Sequence, residues 1–99
     1  MRAIKKLAED IEEEIESAKE YAEEYIEHKA KGDLNTANHY KEMANDELKH
    51  AMYLHERAVT KIAEVSKTFT PPVEMEEKWE KAHKEYVEAV SRIKHVLAM

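Results

Sequence analysis

The chain contains no cysteine, one glycine (Gly32) and two adjacent prolines (Pro71 and Pro72) in 99 residues. Without thiols it forms no disulfide, no thiolate metal site and no iron–sulfur cluster, and cysteine usage gives no reading of the redox compartment. Long apolar runs are also missing: none approaches the roughly 18 residues of a membrane span. The first ten residues, Met1 to Asp10, interrupt their apolar positions with charges and lack the greasy centre of a signal peptide. A cytoplasmic location without membrane contact is the resulting expectation. Positive charge is not in excess either. The formal net charge of −6 argues against a nucleic-acid partner, which would select a basic face.

What remains is rich in Ala, Glu, Lys, Met and Leu, residues that a helix tolerates best. With breaking residues in only two places, the expectation is all-α: three helices over about 3–31, 34–67 and 72–98 in a single domain. Gly32 is placed to end the first helix in a left-handed conformation, and Asp33 to cap the second. So short a turn makes the two helices antiparallel neighbours. In the first helix Leu7, Ile11, Ala18, Tyr21 and Tyr25 follow three–four spacing, flanked by Ile4, Ile15, Ala22 and Ile26. The second helix offers Ala37, Tyr40, Ala44, Ala51, Leu54, Ala58 and Val65, and the third Trp79, His83, Tyr86, Val90, Ile93 and Leu97. A chain this short buries a small core, which self-association would extend.

The informative positions are those where an apolar stripe is interrupted. Glu14 falls between Ile11 and Ala18, and Glu47 between Ala44 and Ala51. A carboxylate on a packed face is costly unless it meets a cation or strong donors. His50 follows Glu47 by three residues and so lies on the same side of the helix. One helical turn can thus aim an oxygen and an imidazole nitrogen at one point, which suits a divalent metal. The hairpin register that pairs Glu14 with Glu47 also pairs Leu7 with Leu54 and Tyr21 with Tyr40, so the two acids are close to level. Glu13 and Glu16 share the acidic run and are alternatives to Glu14. Asp46 is either a surface residue or a partner orienting His50. A second pair, Glu80 and His83, lies too far along the third helix to join the same site. His83 reads instead as a buried or interfacial histidine, with a separate metal site as the lesser alternative, and His28, His39, His55 and His95 as surface or helix-end residues.

The stretch Ala37-Asn38-x-Tyr40-x-Glu42-x-Ala44-x-x-Glu47-x-x-His50-Ala51 resembles the second helix of rubrerythrins, and Asp46 to Ala51 is similar to the Asp-Glu-x-x-His-Ala stretch of bacterioferritins. The similarity extends without gaps from about Ile11 to Leu54. This resemblance to the ferritin-like superfamily implies that Glu14, Glu47 and His50 are metal ligands, that the metal is iron, and that Tyr21 is the tyrosine those families keep beside the metals, with a part in catalysis. The chain departs from the family pattern in having one half-site rather than two. The implied arrangement is a homodimer, or a higher even oligomer, in which the first two helices of each chain form a ferritin-like four-helix bundle. Its dinuclear site would take four carboxylates and two histidines from the two chains, and ferroxidase activity would follow. Encapsulated ferritins are the nearest analogues among small half-bundles, although Val96 to Met99 carries no obvious shell-targeting tail. The competing expectation is a non-catalytic helical interaction or scaffold protein in which Glu47 and His50 are polar interface residues.

Overall fold

The computed structural model describes residues 2–99. Three helices account for nearly all of it: Arg2–Ala30 (α1), Leu34–Ser66 (α2) and Val73–Leu97 (α3). No strand occurs among the described residues, and no helix is long and apolar enough to cross a membrane. The molecule measures 55 × 18 × 17 Å, its long dimension close to the ~50 Å expected of a 33-residue helix.

The two breaks form as the local chemistry dictates. Gly32 adopts φ +80°, which lets its N–H reach the Lys29 carbonyl while the Asp33 N–H reaches that of His28. This paired closure satisfies carbonyls that the end of a helix otherwise leaves bare. The Asp33 carboxylate then accepts from the Thr36 N–H and starts α2. At the second break the Pro72 carbonyl accepts from the Met75 and Glu76 N–H groups and opens α3.

Packing between α1 and α2 is more extensive than between either helix and α3, and α3 lies chiefly on α1. The fully buried residues of the hairpin include Ile11, Ala18, Ala44, Ala51 and Ala58. Small side chains at these levels let the helix axes approach closely, and each buried Ile adds about 1.5–3 kcal/mol of transfer free energy. In α1 the deeper stripe is Ile4, Ala8, Ile11, Ile15, Ala18, Ala22 and Tyr25. Leu7 and Tyr21, expected on the main seam, are only half-buried. The reason is the position of α3, which covers the Ala8, Ala22 and Ile26 flank and leaves the other flank uncovered. In α3 the buried stripe is Met75, Ala82, Ala89, Ile93 and Leu97, while Trp79, His83 and Tyr86 turn toward α2 and stay half-buried.

The uncovered flank of the hairpin has its own order. Leu7, Glu14, Tyr21 and His28 recur every seven residues on α1, and Tyr40, Glu47 and Leu54 do so on α2; all seven are half-buried. Tyr21 packs on Tyr40 with ring centroids 6.1 Å apart, and His28 stacks on Tyr40 at 5.5 Å. The expected register is therefore the one adopted.

Candidate metal centre

Glu14 on α1 and Glu47 and His50 on α2 each offer one donor atom, and these atoms all lie within 4.8 Å of one another. The His50 Nδ1 stands 3.6 Å from Glu14 Oε2 and 3.6 Å from Glu47 Oε1. These separations are too long for hydrogen bonds. They are slightly wider than the ~3.3 Å between two donors bound tetrahedrally to one ion at about 2.0 Å. A cation would need to draw the His50 nitrogen toward each carboxylate oxygen by only a few tenths of an ångström.

The electrostatics of the group are unfavourable as it stands. Glu14 Oε2 is shielded from solvent and has no hydrogen-bond partner. The Glu14 carboxyl beside it, with burial second, pushes Glu47 from an ordinary 4.5 up to about 7. Two adjacent carboxylates, one of them with a shielded and unpartnered oxygen, resist carrying two negative charges together, a state that a divalent cation relieves. The donor set of two carboxylates and one imidazole therefore fits such an ion. Around it, Ala18, Ala44 and Ala51 are completely buried, so small side chains border the site within the helix pair.

The remaining sequence candidates fall as follows. Glu13 and Glu16 are exposed, as is Asp46; Asp46 acts on the site through charge, adding to the upward push on Glu47. Tyr21 lies one heptad along α1 from Glu14 and packs on Tyr40. The imidazole of His50 is 59% exposed, against 27% for the Glu14 side chain and 23% for Glu47. The site thus opens onto the uncovered flank.

His55, read from sequence as a surface residue, belongs to a second cluster. Its Nε2 lies 2.8 Å from His83 Nδ1, and its ring stacks on Tyr86 with centroids 4.2 Å apart. The available signal was the α2–α3 register about the second break, which sets residue 55 nearly opposite 83.

No family model matches the chain, and neither characterised proteins nor solved structures provide a match.

Proposed function

We propose that two copies of this chain associate through the uncovered α1–α2 flank and that Glu14, Glu47 and His50 of both copies hold two divalent metal ions, with iron the expected metal. The observation that carries this reading is the convergence of the three donors around a shielded, unpartnered Glu14 oxygen. Position along the helices supports the dimer. Glu14 lies near the middle of α1 and Glu47 near the middle of α2. A two-fold axis passing beside them would therefore overlap the two hairpins over almost their full length. It would also cover Leu7, Tyr21, Tyr40 and Leu54, which are half-buried in the single chain, and the partly exposed Met43. Two-fold pairing of like surfaces is the commonest form of association.

The combined site would carry four carboxylates and two imidazoles, the ligand set of ferritin-like dinuclear centres. Iron bound there would supply one-electron redox chemistry toward dioxygen or peroxide. The chain's own part is to hold the ions, to favour the higher charge with anionic oxygens and to exclude bulk water by pairing. Tyr21, on the same line as Glu14, is the residue proposed to serve the oxidation step, on the strength of the ferritin-like resemblance.

Anaerobic titration with ferrous iron tests the reading. The wild type should bind two ions per dimer, Glu47→Ala and His50→Ala should lose tight binding, and His83→Ala should retain it. On exposure to oxygen, wild-type protein should generate ferric absorbance faster than a protein-free control and faster than Glu47→Ala. Binding without faster oxidation would leave a metal-holding protein rather than a ferroxidase. A dimer that binds no metal would instead favour a helical interaction protein with a polar interface.

A further inference from the structure

The second cluster lies where α3 meets α2, the least extensive of the three helix contacts. On α3, Trp79, His83 and Tyr86 occupy one face at helical spacing, and all three meet His55 of α2. The His55 and His83 ring centroids are 5.0 Å apart with planes inclined at 24°. The 2.8 Å nitrogen–nitrogen contact plus the two ring radii nearly accounts for that spacing. The imidazoles therefore meet edge to edge, with the two nitrogens aimed at each other. In the metal-free pair one nitrogen must donate and the other accept, which a neutral pair does with a single proton.

We propose that His55 and His83 form a two-imidazole clamp for a borderline divalent ion of the zinc class, fastening α3 to the hairpin. Imidazole nitrogens suit zinc, copper and nickel rather than magnesium or calcium. Zinc–nitrogen bonds of ~2.0 Å at a tetrahedral angle set the two nitrogens about 3.3 Å apart. The pair must open by roughly half an ångström and tilt, a motion that slides the His55 ring along the Tyr86 face without breaking the stack. The ion takes the place of the one proton between the nitrogens; that proton moves through solvent to the other nitrogen of the donating ring, so both imidazoles bind as neutral ligands, and water completes the coordination. His55 is held below the ordinary histidine range by burial and by His83, so its lone pair is available at neutral pH. Burial likewise keeps the Tyr86 hydroxyl protonated, and it contributes by stacking rather than by ligation. This site shares no residue with Glu14, Glu47 and His50, and it stands or falls independently of them.

The test uses the 99-residue chain carrying Glu47→Gln and His50→Gln, which removes the carboxylate site. Titration with Zn²⁺ should show one ion per chain, with a rise in melting temperature. In nitrogen-15 spectra of the histidine rings, His55 Nε2 and His83 Nδ1 should shift together. Adding His83→Gln should abolish both effects while helicity, read by circular dichroism, is kept. Adding His55→Gln instead should do the same; if that variant loses helicity, the His83→Gln comparison decides. Absence of zinc binding in the parent variant overturns the proposal. So does zinc binding that survives His83→Gln, or ring shifts confined to His28, His39 or His95.

Discussion

At the scale of single residues, Glu47 is the side chain most at odds with its surroundings. Its folded pKa of about 7 exceeds the ordinary 4.5, so the folded state holds the proton more tightly than the unfolded chain. Between those two values the folded state binds more protons, and the stability of metal-free protein falls as pH rises. Below about pH 4.5 the residue makes no such demand, and above about pH 7 its full cost is present. Glu47→Gln should therefore stabilise metal-free protein at pH 8, leave it nearly unchanged at pH 4, and lose metal. Urea midpoints at fixed protein concentration across this range, compared with wild type, measure the difference. Equal midpoints at pH 8 would mean that the two carboxyls do not crowd each other. His55 has the opposite sign: its lowered pKa gives stability that is present above the ordinary histidine value and is lost as pH falls. Comparing Glu47→Gln with wild type at each pH separates the two effects.

At the scale of elements, the hairpin and its register were legible in the sequence because local rules agree there. Gly32 and Asp33 fix the turn, and the spacings of alanine and tyrosine then admit one alignment, so Glu14, Glu47 and His50 meet as the sequence suggests. Gly32→Ala should lower stability by about 1 kcal/mol, because an L side chain is strained at φ +80° although no atom obstructs it. Ala44→Leu, at a fully buried position, should cost about 1–3 kcal/mol by forcing the helices apart; thermal or denaturant melts measure both. The placement of α3 was harder to read. In α1 two adjacent stripes are apolar, and which of them is deeper depends on where the third helix docks, not on spacing. Ile4 and Ile15, taken as flanking, are core residues, while Leu7 and Tyr21 face the open flank. His55 was harder to place because its neighbours are set across the longer break at Thr68 to Pro72, which brings residue 55 near 83 only approximately, with no single cap to fix the exact register.

At the scale of the whole molecule, the uncovered flank and the candidate site are one surface, and association and metal binding should therefore fail together. Leu54→Glu lies on that flank two turns from Glu47, and its side chain is not fully buried in the single chain. It should yield a helical monomer with sharply weakened iron binding, read by light scattering alongside the titration. A Leu54→Glu monomer that binds iron as tightly as wild type would show that the donors of one chain suffice. The unequal packing of the three helices has a further consequence for how the molecule breathes. Every candidate donor of the carboxylate site lies on α1 or α2, the pair with the most extensive contact, whereas α3 rests on α1 and reaches α2 through the His55 cluster. Regions with fewer packed neighbours open at lower free energy than the global transition. Amide hydrogens of α3 should exchange with solvent sooner than those in the middle of α1 and α2. The protein would then visit a transient two-helix form, its third helix released and the hairpin that carries Glu14, Glu47 and His50 still closed.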